Sequence, residues 1–367
     1  MGDAVGTSAP LDDAAYMRRA LDLARRGWGH TAPNPMVGAV VVRDQAVVGE
    51  GYHARYGEEH AEVAALRAAG GRASGATVYV TLEPCAHEGQ TPPCTDALIR
   101  AGVRRVVIAI RDPHPAARGG LDRLHAAGIA TTVGPEAAAA RELNAPFLHA
   151  LHSDRPWVTL KLALSLDGAV RDAAGTPGWL TGTAARDEVH RLRAGCDAIA
   201  VGIGTVLADD PLLTVRDAPP PRIPPLRVVF DGTARLPLSS RLVRSVAQGP
   251  VCVVARAPDA DRAARLAAAG VEMLVATTLD AALRALRARG VRSLLVEGGP
   301  RLAGSTLAAS AVDRLVIFQA PMVLGAGAEL AFAFAPATTL LAARRWTVVA
   351  RDAFGDDVMT IYGLSEP

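Results

Sequence analysis

Four side chains in the first hundred residues have the types and spacing of a hydrolytic metal centre. His60 and Glu62 flank Ala61, Cys85 follows Pro84, and eight residues separate Cys85 from Cys94. One imidazole and two thiolates fill three positions of a tetrahedral zinc and leave the fourth for water. The two thiolates offset the charge of the dication, and water held there ionises near neutral pH and can attack an electrophilic carbon. Glu62 is too close to His60 in sequence to make a good fourth ligand. It stands instead to take the water proton and hand it to a leaving nitrogen. The order matches the deaminase signature H-x-E…P-C-x-x-C, with the insert Ala86-His-Glu-Gly-Gln-Thr-Pro-Pro93 lengthening the spacing between the cysteines. Each part alone is weak, since a lone His-x-Glu is usually surface and a lone cysteine is usually a small buried hydrophobe. A structural zinc site is the rival, and His87 is its only nearby candidate for a fourth ligand.

The surrounding pattern supplies elements to hold these groups. His60 opens an alanine-rich helix that ends at Gly70-Gly71. Cys85 follows a strand over 77–81, and Cys94 opens a helix over 94–101, where the helix dipole favours its thiolate. An amphipathic helix over 11–26 and a hairpin (37–42 and 47–51, turning at Asp44-Gln45) precede them. A strand over 104–110, a helix over 120–127, a strand over 129–133 and a helix over 136–151 follow. Near Ser153-Asp-Arg-Pro156 the pattern restarts. Strands are expected over 157–163, 197–202, 226–230, 251–255, 272–276 and 293–297, with a helix over 183–194 and alanine-rich helices later, then terminal strands over 315–319, 346–350 and 358–362. Such alternation implies an α/β chain with a largely parallel or mixed sheet covered on both faces. A length of 367 residues suggests two domains, which we draw as 1–152 and 153–367. The Pro-rich stretch Asp217–Pro225 is rejected as a boundary, because the segment before it is too short to close a second core.

The second half carries weaker signals. Glu297-Gly-Gly-Pro300 lies between a strand and a helix; taken alone it reads first as an ordinary tight turn, although glycines there would also let a phosphate approach an electropositive helix start. It does not fit G-x-G-x-x-G, so a Rossmann fold is not supported. Lys161 sits mid-strand among apolar residues, which is costly if it faces the core unpaired and ordinary if it lies on an edge strand or faces solvent. Arg193 and Arg216 could clamp a phosphate bidentately or be solvated. Asp209-Asp210-Pro211 could serve a ligand, a helix cap or a turn.

A formal charge of +2 and 4% aromatic residues speak against a general nucleic-acid binder. The longest apolar runs are strand-sized, so no membrane span is expected. The N-terminus lacks a basic region followed by an apolar one, so no signal peptide is read. Four cysteines are too few for a disulfide scaffold, which suggests a reducing cytoplasm and thiols committed to metal.

Taken together, the motifs resemble the bifunctional riboflavin-biosynthesis deaminase–reductases over nearly the whole chain. The resemblance rests on Pro33-Asn-Pro-Met-Val-Gly38, Gly49-Glu-Gly-Tyr-His53, His60-Ala-Glu62, Thr81-Leu-Glu-Pro-Cys85 through Thr91-Pro-Pro-Cys94, and Asp112-Pro-His-Pro115. It continues in Leu160-Lys-Leu-Ala-Leu-Ser-Leu-Asp-Gly168, Trp179-Leu-Thr-Gly182, Leu192-Arg193, Gly204-Thr-Val-Leu-Ala-Asp-Asp-Pro211, Leu213-Thr-Val-Arg216 and Glu297-Gly-Gly-Pro300. It implies a cytidine-deaminase-like three-layer domain, followed by a dihydrofolate-reductase-like domain. The first would use Zn2+ to deaminate a diaminopyrimidinone carrying a ribosylamine phosphate. The second would use NADPH to reduce the ribosyl part of the product to ribityl.

The resemblance also implies roles for individual residues. Asn34 would hold the pyrimidine, with His87, Gln90, Asp112 and His114 around the ribose phosphate and His53 structural. Ala163, Trp179, Thr205, Asp209, Gly232 and the run Gly299, Pro300, Arg301, Leu302, Ala303, Gly304 and Ser305 would contact NADPH. Lys161, Pro177, Arg193, Leu213, Arg216 and Glu297 would contact substrate. A homo-oligomer is plausible for such folds. The chain departs from the family at Gln90, usually Lys or Arg, and at His114, usually Asn. The stretch Ala116–Gly120 is about one residue short, and Thr176-Pro-Gly178 replaces a polar pair. Other functions stay open: a zinc deaminase or deaminase–reductase for another pyrimidine or a nucleic-acid base, a protein with only one half active, and a regulatory scaffold with structural zinc and an NADPH-sensing rear domain.

Overall fold

In the computed structural model residues 12–88, 92–114, 119–176 and 178–364 are described, and the chain divides into two units, Met1–Leu151 and His152–Pro367. The first unit runs α1 (Asp13–Arg25), β1 (Gly38–Arg43), β2 (Ala46–Tyr52), α2 (Ala61–Ala69), β3 (Thr77–Leu82), α3 (Cys94–Arg100), β4 (Arg105–Ile110), α4 (Gly120–Ala126), β5 (Ala130–Val133), α5 (Ala137–Leu143) and α6 (Ala145–Ala150). Its sheet has the order β2-β1-β3-β4-β5. The β1–β2 hairpin is antiparallel, and β3, β4 and β5 are parallel. Asp44 and Gln45 turn the hairpin with φ of 50° and 62°, the left-handed pair that matches strand twist in a two-residue loop.

Helices cover both faces. Ala61, Ala65, Leu66 and Leu98 pack with Val78, Val80, Val106 and Ile108 on one side. Tyr16, Met17, Leu21 and Ala140 pack with Val40, Leu82 and Val107 on the other. The glycines of Gly49-Glu-Gly51 admit α2 against β2. A Cβ at Gly49 would lie 2.3 Å from the Ala65 carbonyl oxygen, and one at Gly51 2.4 Å from the Ala65 nitrogen. Backbone therefore packs on backbone, which fixes where the N-terminus of α2 points.

The single helix expected over 136–151 is two. It breaks at Asn144, which has φ −107° and ψ 19°. Pro146 has no N–H to continue the ladder, and its ring would clash with the preceding turn. The Asn144 side chain instead bonds the Met36 N–H at 2.8 Å and the Met36 carbonyl at 2.9 Å.

The second unit runs β6 (Trp157–Leu164), β7 (Ala169–Arg171), α7 (Thr183–Ala194), β8 (Ala198–Gly202), α8 (Ile203–Asp209), β9 (Leu226–Phe230), α9 (Arg241–Arg244), β10 (Val251–Ala255), α10 (Ala260–Ala268), β11 (Glu272–Val275), α11 (Leu279–Ala288), β12 (Ser293–Val296), α12 (Pro300–Ala308), β13 (Arg314–Gln319), β14 (Glu329–Leu330), β15 (Trp346–Phe354) and β16 (Asp357–Leu364). Nine strands form one sheet in the order β11-β10-β9-β8-β12-β6-β13-β16-β15. The strands from β11 to β13 are parallel, β16 runs antiparallel to β13, and β15 runs antiparallel to β16. The sequence pattern missed α8, a short helix whose only buried apolar residues are Ile203 and Val206. It also stopped β15 short, because that strand is exposed along most of its length and shows no apolar alternation.

Candidate active sites

The metal donors come from three chain segments. His60 is the N-cap of α2, and Glu62 sits in that helix's first turn. Cys85 follows β3, and Cys94 is the first residue of α3. His60 Nδ1 lies 3.1 Å from Cys94 Sγ and 3.6 Å from Cys85 Sγ, and the Cys94 N–H points to Cys85 Sγ at 3.4 Å. All three donor atoms fall within 4.8 Å of one another. The Cys85 thiolate is stabilised first by the Cys94 thiol, then by His60. The Cys94 thiol is pushed up by Cys85, by burial and by Glu62. One thiolate therefore forms readily, and the second needs a cation. That donor set fits a zinc ion. Exposed His87 is outside the donor group, so among the described residues the rival structural site finds no fourth ligand.

Glu62 is 3% exposed. Burial pushes its carboxyl up to about 7, against the opposing pull of His60. Beside His60, with ring centres 5.6 Å apart, the buried His53 ring faces Glu59 O through Nδ1 at 3.1 Å and Asn34 Nδ2 through Nε2 at 3.3 Å. A carbonyl only accepts, so Nδ1 carries the proton and Nε2 accepts from Asn34. Burial holds this His53 below its ordinary pKa. Of the residues expected around the ribose phosphate, the Asp112 carboxylate accepts the His114 N–H at 2.8 Å. Buried Glu83 accepts the N–H groups of Asp112 at 3.3 Å and Leu121 at 3.1 Å, tying that arm to α4. Gln90 lies outside the described residues.

The second cluster gathers at the carboxyl ends of parallel strands. Connections leave β8 and β12 in opposite directions, which opens a crevice between their ends. Two helices start there on bare glycine N-caps, α8 on Gly202 and α12 on Gly299, neither capped by a side chain. A Cβ at Gly299 would stand 3.4 Å from Thr205 Oγ1, and Gly204 and Gly232 face open space. Uncapped N–H groups at glycine-lined helix starts fit a dinucleotide's phosphates. Along α12, Leu302 and Ala303 are buried while Arg301 and Ser305 are exposed. Gly304 backs onto the Phe334 carbonyl. Ala163 is on β6, exposed Trp179 stacks on Arg186, and Asp209 ends α8. Pro177 lies outside the described residues.

Lys161 stands on β6, an interior strand, so the edge-strand reading is overturned. Burial lowers its pKa, Glu297 opposes that shift, and Arg193 adds to it. Its Nζ lies 5.5 Å from the Phe318 ring centre. The bidentate phosphate clamp does not form from Arg193. Its Nε and one terminal nitrogen bond Glu297 at 2.6 and 2.9 Å, and the other bonds Thr214 O at 3.0 Å. A carboxylate as buried as Glu297 demands that counter-ion. Arg216 stays exposed. Leu213 is buried with φ 52°.

Three residues that hold the sites escaped sequence reasoning. Asn144 had no motif. His190, which accepts the Arg216 N–H at 3.1 Å, lies one turn before Arg193 on the buried face of α7. Arg227 sits in an apolar strand run and carried the same signal as Lys161.

Residues 11–110 match a model described as the cytidine and deoxycytidylate deaminase zinc-binding region, and residues 156–359 match the RibD C-terminal domain. The riboflavin biosynthesis protein RibD of Aquifex aeolicus is 43% identical, covering 87% of this chain and 89% of the relative. Its namesake in Haemophilus influenzae is 39% identical, covering 95% and 97%. Among solved structures, Acinetobacter baumannii RibD superposes with a TM-score of 0.83 at 38% identity over 96% of this chain and 99% of that one. A Thermotoga maritima diaminohydroxyphosphoribosylaminopyrimidine deaminase/5-amino-6-(5-phosphoribosylamino)uracil reductase gives 0.83 at 32% identity, with the same coverage.

Proposed function

The chain belongs to the RibD family, and from that membership we propose how its side chains carry two successive reactions. It is a bifunctional enzyme of riboflavin biosynthesis that joins a zinc deaminase to an NADPH-dependent reductase. Zinc supplies Lewis acidity toward water and substrate, and NADPH supplies hydride. The convergence of His60, Cys85 and Cys94 beside buried Glu62 carries the proposal for the first site. Glu62 takes a proton from water and delivers it to the exocyclic nitrogen, which leaves as ammonia while the ring carbon becomes a carbonyl. A carboxyl raised toward neutrality suits both transfers. Asn34, held by His53, orients the pyrimidine, and Asp112 with His114 faces the ribose phosphate.

In the reductase, the glycine-capped starts of α8 and α12 take the cofactor's phosphates. Lys161 and Glu297 face the ribosyl end, Arg193 keeps Glu297 ionised and aimed, and Arg216 meets the substrate phosphate. The two activities fall on opposite sides of a boundary near residue 152. Free thiols at the metal site suit a reducing cytoplasm, and exposed apolar residues between Met322 and Val349 suit assembly into a homo-oligomer. No helix among the described residues is long and apolar enough to cross a membrane. The test is incubation of zinc-loaded enzyme with the diaminopyrimidinone ribosylamine phosphate. Ammonia should appear without NADPH. With NADPH, nicotinamide oxidation should lag ammonia release. Failure on this substrate, alongside turnover of another pyrimidine, would reassign the first site.

A further inference from the structure

We infer that Arg227 is a positioning residue for the reduction, holding the segment Asp210–Asp217 so that Leu213 and Arg216 meet the phosphorylated substrate. The inference rests on the reading of Leu213 and Arg216 as substrate contacts.

Arg227 is the second residue of β9, an interior strand, and is 1% exposed. Its guanidinium has four partners, all neutral. One terminal nitrogen donates to Leu212 O at 3.2 Å and Ser245 Oγ at 2.7 Å. The other donates to Ser245 O at 2.8 Å and to Gly249 O. Burial lowers its pKa, with no charged group among the causes. A buried cation answered only by carbonyls and a hydroxyl is an expensive tie, and the segment it ties is one that would relax if released.

That segment is strained where function is expected. Asp210, Leu213 and Asp217 have φ of 40°, 52° and 53°, a region unfavourable for residues with a side chain. Side chains and backbone from other elements pin it. The Asp210 carboxylate accepts the Arg241 N–H at 2.8 Å, Thr214 O accepts from Arg193 at 3.0 Å, and His190 accepts the Arg216 N–H at 3.1 Å. The bond from Arg227 to Leu212 O acts next to the left-handed Leu213. A cavity of about 270 Å3 lies between this segment and the Pro-rich stretch, lined in part by Leu212, Arg216, Arg227 and Gln248. A released segment has somewhere to settle.

The two activities of one chain provide the control. R227K, which keeps the charge but loses the planar fork, and R227M are compared with R216A in the full-length, zinc-loaded enzyme. R227K should raise KM for the deaminated pyrimidine phosphate by about ten-fold, the scale of one lost hydrogen bond to a charged group. KM for NADPH, kcat and deamination should stay near wild type, and R227M should do more than R227K. R216A should raise the same KM, and the double variant should fall short of the product of the two. If R216A raises KM and R227K does not, the positioning role is overturned while the contact reading stands. If R216A leaves KM unchanged, the contact reading falls and takes the role of Arg227 with it. Loss of the reductase melting transition in both Arg227 variants, with deamination intact, would make Arg227 a stability residue and overturn the inference.

Discussion

The deaminase cluster and the reductase cluster handle charge in opposite ways. In the first, two thiols, an imidazole and a raised carboxyl crowd together, and the second thiolate has no cation to answer it. In the second, Arg193 already pairs with Glu297, and Lys161 is a further cation that favours the carboxylate. One site is built to receive a permanent dication. The other is built to admit a cofactor that comes and goes, so its own charges must be stable without it. The sharpest way to break this contrast is to take the metal away. Chelation should abolish ammonia release and leave NADPH oxidation on pre-deaminated substrate untouched, and added zinc should restore the first activity. Loss of both activities together would show that the reductase also depends on metal.

Within the first site, proton transfer can be separated from metal binding. Glu62→Gln keeps shape and hydrogen bonding but cannot carry the proton. Deamination should drop about 10²- to 10⁴-fold, while zinc content and reductase rate hold. Zinc loss in this variant would instead make Glu62 a ligand. The second site answers with stability. Arg193→Leu leaves Glu297 buried and unpaired, which should destabilise the reductase unit by about 3–5 kcal/mol in urea melts. Pairing it with Glu297→Leu should recover much of that. Recovery without activity would sharpen the point that this ion pair serves chemistry more than folding.

The same contrast decides what could be read from sequence. Metal coordination demands particular side chains at short spacings on helix starts, so His60, Glu62, Cys85 and Cys94 were legible as chemistry. The alternation of strands and helices was legible because buried parallel strands are apolar runs. The reductase residues were singly ambiguous. Lys161, Arg193 and Glu297 become a unit only when β6, α7 and the end of β12 meet. The glycine cradle exists only where α8 and α12 start side by side, and the sequence pattern missed α8. Asn144 was hidden for a related reason, since its amide pairs with the Met36 backbone far away in sequence. The pattern of alanines around it continued a helix that Pro146 stops.

Acid offers the smallest and most selective test of the comparison. His190 must be unprotonated at Nδ1 to accept the Arg216 N–H. Burial, then Arg193 and Arg216, hold its pKa below the ordinary 6.5, against Glu297 and Asp217. A lowered histidine pKa means that the unfolded chain takes up the proton first, so folding stability is full above about pH 6.5 and declines as the pH falls below it. In the same window the fraction of protonated His190 grows, the bond to Arg216 is lost, and the strained segment loosens. One such bond is worth about 1 kcal/mol, so KM for the reductase substrate should rise about five-fold at the acid end, with KM for NADPH flat. His190→Gln, whose amide oxygen accepts without titrating, should flatten that rise. A wild-type acid profile in this variant would place the titrating group elsewhere, with Lys161 and Glu297 the first to examine.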